Sequence, residues 1–185
     1  MKVEAKVKKK PLPPNRILVF TGDGKGKTTA ALGMVLRAAG HGLKSLVVQF
    51  VKADKKSGEL TTVRNLPNTE IVQVGCGFPP ETDSPDFSRH RTAAEKGLNV
   101  ASEALRSGKY DLVVLDEIAV AIYRKLLDEA FVFQAISAAF PGVVIVLTGR
   151  RVSEKLLELA DTVTEMQPFK HGMKSGWSAQ KGVEF

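Results

Sequence analysis

A glycine-rich segment near the amino terminus constrains the fold of this chain more than any other feature of the sequence. Residues 21–28 read TGDGKGKT, and they lie between the apolar run at 17–20 and a helical pattern that begins at Thr29. A strand, a glycine-rich turn and a helix in this order form the context of a phosphate loop. Glycines let backbone N–H groups surround phosphate oxygens, and the helix N-terminus adds its positive dipole end. The segment therefore predicts binding of a nucleoside triphosphate.

The residue types in the loop predict individual roles. Lys27 would reach the phosphate oxygens as a point charge, and the Thr28 hydroxyl would ligate Mg²⁺. Thr21 stands where the usual motif opens with glycine. A glycine-rich hairpin turn is the alternative interpretation, and the helical pattern after Gly-Lys-Thr disfavours it. The other nucleotide-binding residues predicted in this segment are Gly22, Asp23, Gly24, Lys25, Gly26 and Thr29.

Strand and helix patterns alternate along the rest of the chain. The apolar run at 45–50 predicts a strand that is buried on both faces, as in a parallel sheet. This alternation predicts an α/β fold with a mostly parallel sheet and helices on both faces. Strands are predicted at 16–20, 45–50, 71–74, 112–115, 143–147 and 162–165, and helices at 27–39, 88–106, from the cap Asp128 to 139, and at 154–160.

A second motif completes the predicted nucleotide site. Residues 112–117 read LVVLDE, an apolar run that ends in two carboxylates. A buried strand that delivers an acid to the phosphates is the usual partner of a phosphate loop, so Thr28, Asp116 and Glu117 are the predicted metal ligands. Together with Thr148 at the end of a further strand, the pair resembles the RecA-like branch of phosphate-loop proteins. That resemblance places the strand at 143–147 between the phosphate-loop strand and the Asp116 strand.

Composition limits the other classes of protein to which the chain can belong. Its 185 residues fit one domain, predicted at 16–185, and no apolar run is long enough for a membrane helix. The single Cys76 excludes an internal disulfide framework and fits a reducing cytoplasm. The net charge of +7 favours anionic ligands. Part of this excess lies in residues 1–15, which are predicted to be a mobile basic arm, either a solvated tail or a cover for the nucleotide.

Beyond the phosphate loop, the chain resembles the ATP:corrinoid adenosyltransferases of cobalamin synthesis and salvage. The resemblance runs in order from 16 to 185 and is far more specific than the phosphate loop alone. Its ending, AQKGVEF at 179–185, is distinctive. The other segments that carry the resemblance are 22–31, 47–50, 77–78, 113–117, 147–150, 159–165 and 170–171.

The resemblance implies transfer of the 5′-deoxyadenosyl group of ATP to the cobalt(I) of a reduced corrinoid, with release of triphosphate. Cobalt(I) is itself the nucleophile, so catalysis consists of alignment and of stabilising the charge on the leaving triphosphate. Lys27, Thr28 and Glu117 are then the catalytic residues, with Mg²⁺ or Mn²⁺ as cofactor. The implied partners are an electron-donating reductase and a second copy of the chain in a homodimer, with no nucleic acid and no membrane.

The corrinoid end of the site matches the family less completely. Family members carry a Gly-Phe-x-aromatic segment, in which an apolar wall excludes water and the lower ligand of cobalt. Phe78 matches the first aromatic residue, whereas Pro80 stands at the second. Packing on the core is the alternative role for Phe78. Arg37, in the family-matching stretch 37–42, either packs or contacts the nucleotide.

Several other residues and functions remain as alternatives. Lys170 and His171 are either exposed or part of the site. His41 and His90 are predicted to be structural or exposed, and Cys76 to be a small loop residue. A RecA-like ATPase stimulated by nucleic acid is the main competing function, supported by the basic charge. The chain lacks a second motor domain and an aromatic, basic stripe for stacking single strands. A module that only senses ATP or a corrinoid is a third possibility.

Overall fold

One sheet of six strands lies between two layers of helices in the structure, a computed structural model that describes residues 13–55, 57–170 and 172–183. The strands are β1 (Arg16–Thr21), β2 (Ser45–Gln49), β3 (Thr69–Gln73), β4 (Leu112–Asp116), β5 (Val144–Thr148) and β6 (Thr162–Glu165). The α-helices are α1 (Lys27–Gly40), α2 (Gly58–Arg64), α3 (Phe87–Arg106), α4 (Ile118–Tyr123), α5 (Glu129–Ser137) and α6 (Glu154–Leu159). Most of the arm predicted at 1–15 lies outside the described residues.

The order of the strands is β3-β2-β4-β5-β1-β6, and every pairing is parallel. The strand β5 lies between β1, which leads into the phosphate loop, and β4, which ends at Asp116. This order confirms the RecA-like arrangement predicted from the sequence. All carboxyl ends of the strands meet at one edge of the sheet, where α/β proteins bind their ligands.

Alternate residues of the central strands enter two separate apolar cores. In β4, Val113 and Leu115 pack with the helices α3 and α5 on one face of the sheet. Leu112 and Val114 pack with α1 and α2 on the opposite face. All five residues of β4, like those of β2, are buried. The predicted burial of β2 on both faces and the predicted helices on both faces are therefore confirmed.

Most element boundaries predicted from the sequence fall within two residues of the observed ones. Asp128 caps α5 as predicted, because its side chain accepts a hydrogen bond of 2.9 Å from the N–H of Ala130. The sequence does not predict α2 or α4, which have only seven and six residues. In α2 only Leu60 and Val63 are buried, which is too few to show a helical period. None of the helices in the described ranges is long and apolar enough to cross a membrane.

Replacing two glycines inside helices by alanine should change the stability of this fold in opposite directions. A Cβ atom at Gly97 of α3 would lie 2.6 Å from Cγ2 of Val74, whereas a Cβ atom at Gly33 of α1 would meet nothing within 4 Å. We expect Gly97→Ala to lower the free energy of unfolding by about 1–3 kcal/mol through overpacking. Gly33→Ala should raise it by about 0.5–1 kcal/mol, because alanine loses less backbone entropy in a helix.

Urea unfolding followed by circular dichroism measures both effects on the same scale. Each variant serves as the control for the other, because both place alanine in the interior of a helix. Equal changes in the free energy of unfolding would contradict the packing of α3 against Val74.

Candidate active site

The phosphate loop between β1 and α1 is shaped by the chain segment that follows β6. The N–H of Gly24 donates a hydrogen bond of 2.6 Å to the carbonyl oxygen of Met166, and the N–H of Met166 donates to that of Thr21 at 2.9 Å. Cβ atoms at Gly22 and Gly24 would lie 2.4 and 2.6 Å from the Met166 carbonyl oxygen. Gly22 also has a φ of +91°. These glycines are therefore required by the close approach of another chain segment as well as by the predicted approach of phosphate.

Lys27 is buried at the first position of α1, with 7% of its surface exposed. Its Nζ donates hydrogen bonds of 2.7 Å to the carbonyl oxygens of Gly22 and Gly24. Burial lowers the pKa of Lys27, and the positive charge of Arg150 lowers it further, while the carboxylate of Glu117 acts in the opposite direction. The ammonium group thus rests on the loop itself, where phosphate oxygens are predicted to bind.

Asp116, at the end of β4, is the most heavily hydrogen-bonded side chain at this edge of the sheet. Its Oδ1 accepts hydrogen bonds of 2.8 Å from the hydroxyl groups of both Thr28 and Thr148. Its Oδ2 accepts a hydrogen bond of 3.1 Å from the Nε2 of Gln49. Asp116 is only 1% exposed. The structure therefore brings together Asp116 and Thr28, as predicted, and adds Gln49, which sequence reasoning missed.

Glu117 follows Asp116 in a left-handed backbone conformation, with a φ of +63°. This conformation is uncommon for glutamate and is held here by a hydrogen bond of 2.8 Å from its N–H to the Thr148 hydroxyl. Burial and the neighbouring Asp116 raise the pKa of the Glu117 carboxyl, while the positive charges of Lys27 and Arg150 lower it. The side chain of Glu117 lines the cleft above the phosphate loop. The two adjacent carboxylates therefore occupy different places: Glu117 faces the cleft, and Asp116 lies buried behind Thr28.

The oxygen atoms at this point suit a magnesium ion. The Thr28 hydroxyl donates its proton to Asp116, which leaves its lone pairs available for a metal, and Glu117 supplies a carboxylate. Within the described ranges, the structure contains no group of three or more histidine, cysteine, aspartate or glutamate side chains that could hold a metal. A small ion here would need further oxygen ligands from phosphate and water, which is how Mg²⁺ usually binds. The residues present thus fit the predicted metal.

A cleft of about 630 Å³ opens above the phosphate loop. It contains four basic side chains and three acidic ones, and the N-terminus of α1 adds its positive dipole end, so the cleft favours an anionic ligand. The lining residues that the sequence had singled out are Asp23, Gly24, Lys25, Gly26, Lys27, Thr28, Thr29 and Glu117; those it had not singled out for the site include Leu32, Lys52, Glu59, Arg150 and Val183.

The cleft residues missed by sequence reasoning come from three different places in the chain. Lys52, after β2, forms an ion pair with Glu59 in the first turn of α2. Arg150, after β5, donates a hydrogen bond of 3.3 Å to the carbonyl oxygen of Asp23. The Lys25 side chain donates to the carbonyl oxygen of Val183, so the end of the described chain reaches the phosphate loop. The sequence could have indicated Arg150, because it follows the end of a predicted strand next to the phosphate-loop strand, where α/β proteins bind their ligands.

Three predicted binding residues, Gly22, Arg37 and Phe78, do not line this cleft, although the Gly22 carbonyl oxygen holds the Lys27 side chain. Arg37 is exposed near the end of α1, ten positions after Lys27, which corresponds to about 15 Å along the helix axis. Phe78 is 72% exposed in the loop after β3, and the guanidinium group of Arg124 lies 5.1 Å from its ring centre. At this exposure Phe78 does not pack in the core, so that alternative for Phe78 is excluded.

The remaining candidates among the described residues do not line the cleft. His41 is exposed at the end of α1, which agrees with one of the two roles predicted for it, structural or exposed. His90 is buried in α3, and its Nε2 lies 3.4 Å from a carboxylate oxygen of Asp86, as expected for a structural histidine. Cys76 is half-buried in the loop after β3. Lys170 is exposed, and His171 lies outside the described residues.

Comparison with known proteins shows the family to which the chain belongs. The model of the ATP:corrinoid adenosyltransferase family (BtuR/CobO/CobP) matches residues 14–185. A corrinoid adenosyltransferase of Pseudomonas aeruginosa is 43% identical over 170 residues, which cover 91% of this chain and 83% of that protein. One of Escherichia coli (strain K12) is 36% identical over 187 residues, which cover 100% of this chain and 92% of that protein. The chain is a member of the ATP:corrinoid adenosyltransferase family.

Solved structures of more distant proteins share the fold. A KaiC-like protein of Pyrococcus horikoshii superposes with a TM-score of 0.52 at 16% identity, covering 86% of this chain and 74% of that one. The flagellar accessory protein FlaH of Methanocaldococcus jannaschii gives a TM-score of 0.50 at 11% identity, covering 84% and 71%. Identities this low show the fold alone, which is a phosphate-loop fold of the RecA-like type.

The raised pKa of Glu117 makes a prediction about stability. The folded chain binds the proton of the Glu117 carboxyl more tightly than the unfolded chain does. Ionisation of Glu117 therefore lowers the free energy of unfolding as the pH rises above the ordinary pKa of a glutamate. The cost is complete only above the raised pKa of the folded state. We therefore expect Glu117→Gln to have a higher Tm than the wild type at pH 8, with a difference that shrinks towards pH 4.5.

Thermal unfolding of the ligand-free protein between pH 4.5 and 8.5 measures this difference. The matched control is Glu158→Gln, which removes an exposed glutamate from α6 and should change Tm by less than about 1 °C at every pH. A Glu117→Gln variant that is less stable than the wild type at pH 8 would contradict the electrostatic account of this residue.

Proposed function

We propose that the chain transfers the 5′-deoxyadenosyl group of ATP to the cobalt of a reduced corrinoid and releases triphosphate. One observation supports the proposal: a chain that matches this family across residues 14–185 has a phosphate-loop cleft lined by Lys27, Thr28 and Glu117. Relatives that are 35–43% identical over most of the chain bear the name corrinoid adenosyltransferase. The chain is accordingly an enzyme, and ATP and a corrinoid are its substrates.

The proposed reaction places few chemical demands on the protein. Cobalt(I) donates an electron pair to the ribose C5′ of ATP, the bond between C5′ and its phosphate oxygen breaks, and triphosphate leaves with that bonding pair. No proton has to be moved for this displacement. The protein must align the two reactants and stabilise the negative charge that develops on triphosphate. Lys27 and the backbone N–H groups of the phosphate loop supply that stabilisation in the proposal.

Thr28 and Glu117 would hold Mg²⁺ or Mn²⁺, and the bound ion would neutralise part of the triphosphate charge. Asp116 would act mainly through Thr28, because its two oxygens already accept hydrogen bonds from Thr28, Thr148 and Gln49. Arg150 adds a positive charge on the other side of the loop.

The loop from Gly75 to Pro85 is the proposed corrinoid contact. Its start is attached to the segment that leads into the cleft, because the N–H of Gly77 donates to the carbonyl oxygen of Val51 at 2.9 Å, one residue before Lys52. Phe78 is largely exposed beside a buried Pro79 and a half-buried Pro80. An exposed aromatic ring on a loop that is attached to the segment leading into the cleft is suited to contact a corrin face. Arg37 remains a proposed nucleotide contact on family resemblance alone.

Four further features are proposed. The family resemblance supports a homodimeric state and an electron-donating reductase as partner. The single Cys76 supports a cytoplasmic location, and the composition supports a basic segment at 1–15 before a catalytic domain at 16–185. A RecA-like ATPase is the competing function. It is not favoured, because the likeness to RecA-like proteins extends only to the fold, at 11–16% identity.

The phosphate product separates the proposed function from its alternatives. With ATP, Mg²⁺ and a chemically reduced corrinoid, we expect one triphosphate for each adenosylated corrinoid. An ATPase would release orthophosphate, and a sensor would release neither. Lys27→Ala should lower the turnover rate by about 100-fold or more, because it removes a contact to the leaving group.

The matched control is Lys155→Ala, which removes an exposed lysine from α6 and should leave turnover unchanged. Circular dichroism verifies that both variants fold. Orthophosphate as the main product, or undiminished turnover by a folded Lys27→Ala variant, would overturn the proposal.

A second experiment addresses the corrinoid end of the site. If Phe78 helps to exclude the lower ligand of cobalt, Phe78→Ala should slow turnover of a corrinoid that carries a lower base by about tenfold, or about 1.4 kcal/mol. A corrinoid without that base needs less help and should be affected much less. Pro80→Trp, which restores the second aromatic residue of the family pattern, should raise turnover of the base-bearing corrinoid.

The control is Phe131→Ala, because Phe131 is also an exposed phenylalanine, at 61%, but lies on α5. Turnover of both corrinoids, with cobalt(I) generated chemically, is the measurement. Equal slowing of the two corrinoids by Phe78→Ala would place the wall elsewhere.

A further inference from the structure

Four polar side chains end four neighbouring strands and form a continuous chain of hydrogen bonds. They are Gln73 of β3, Gln49 of β2, Asp116 of β4 and Thr148 of β5. Gln73 donates from Nε2 to Oε1 of Gln49 at 3.1 Å, and Gln49 donates from Nε2 to Oδ2 of Asp116 at 3.1 Å. In the sheet register, Gln49 lies opposite both Gln73 and Asp116. The two glutamines thus connect the buried carboxylate to the edge strand β3.

The direction of this chain is fixed by the carboxylate. An ionised aspartate only accepts hydrogen bonds, so Gln49 must turn its NH₂ group towards Asp116. The amide oxygen of Gln49 then faces Gln73, which must turn its own NH₂ group towards it. Because a hydrogen bond to an ionised group is roughly twice as strong as one between neutral groups, any change of charge or position at Asp116 alters the first bond of the series.

Gln49 also holds the beginning of the loop that contains Phe78. Its backbone carbonyl oxygen accepts hydrogen bonds of 3.0 and 3.2 Å from the N–H groups of Val74 and Gly75. A Cβ atom at Gly75 would lie 2.2 Å from the carbonyl carbon of Val51, so the loop leaves the sheet in close contact with the segment that follows β2. Gln49 is fully buried. It can touch neither substrate directly, yet it contacts both Asp116 and the start of this loop.

We infer that Gln49 and Gln73 are positioning residues that couple nucleotide binding at the phosphate loop to the loop that contains Phe78. This inference rests on the proposed function. Nucleotide and metal act on Thr28, Thr28 is hydrogen-bonded to Asp116, and Asp116 orients Gln49. Gln49 in turn fixes the first residues of the loop through its backbone and Gln73 through its side chain. By linkage, a corrinoid on that loop must then change the affinity for ATP by the same factor as ATP changes the affinity for the corrinoid.

The test measures this factor without turnover. Because only cobalt(I) attacks ATP, a cobalt(II) corrinoid can be present while the Kd of ATP with Mg²⁺ is determined by calorimetry. We expect the corrinoid to tighten ATP binding of the wild type by about fivefold or more, which is the range of ordinary coupling between sites. In Gln73→Leu the factor should fall to between about one and two, while the Kd of ATP alone changes less than about twofold.

Gln73 is the better position for this variant, because it is only half-buried on an edge strand and does not contact Asp116. If Gln73→Leu does not fold, Gln73→Met supplies the same loss of the amide with an unbranched side chain. The control is Gln134→Leu, an exposed glutamine on α5, which should keep the full coupling factor.

An unchanged factor in the Gln73 variant, or a factor of one in a wild type that binds the corrinoid, overturns the inference and leaves the proposed function intact. The visible spectrum of the corrinoid reports its binding separately. A wild type that does not bind the corrinoid at all overturns both.

Discussion

A single buried carboxylate, Asp116, is the interaction on which the rest of the site depends. Burying an ionised group is costly unless hydrogen bonds compensate, and here three donors compensate it. Those donors come from α1, β2 and β5, so one charge ties together a helix and two strands beside its own. The same bonds fix the Thr28 hydroxyl and, through Thr148, the backbone of Glu117. One buried charge thus determines how Thr28 and Glu117 are placed at the cleft.

The site also contains features that lower the stability of the folded protein, as functional sites commonly do. Glu117 combines a left-handed backbone with a carboxyl whose pKa is raised by burial and by the adjacent Asp116. Lys27 is a buried cation whose pKa is lowered by the same kind of desolvation. Neither feature improves folding of the empty protein. Both fit the proposed binding of a metal ion and a triphosphate, in which each charge gains a partner.

The sequence predicted the frame of this site because the frame is encoded locally. In a phosphate loop the glycines, Lys27 and Thr28 are close together in the sequence. The apolar run of β4 predicts a buried strand, and Asp116 and Glu117 stand at its end. The parts that sequence reasoning missed depend on contacts between distant segments. Gly24 must be a glycine because it lies against the backbone of Met166, and no local pattern in the sequence predicts that contact. Gln49 did leave a signal, because it is a polar residue at the end of a buried strand.

Short elements were the other part of the fold that sequence reasoning missed. The helix α4 consists of six largely apolar residues, a length at which a buried helix and a buried strand look the same in sequence. The helix α2 begins in a segment rich in lysine, serine and glycine, and its formation brings Glu59 to the cleft opposite the phosphate loop. The helix α4 begins two residues after β4, whereas α2 begins nine residues after β2. Both follow strands that end at the site, where tertiary contacts outweigh local propensity.

We infer that Asp116 organises the phosphate-loop cleft and, through Gln49, the loop at 75–85, which it does not touch. Amide hydrogen exchange at Val74 and Gly75 in Asp116→Asn measures this most directly, since those N–H groups bond to Gln49 and not to Asp116. The control is Asp111→Asn, one residue before the start of β4, where the carboxylate accepts a hydrogen bond from the N–H of Lys44. The account predicts exchange at least about tenfold faster in Asp116→Asn only, because about 1.4 kcal/mol of local stability is lost. Unchanged exchange at Val74 and Gly75 in a folded Asp116→Asn variant would contradict it.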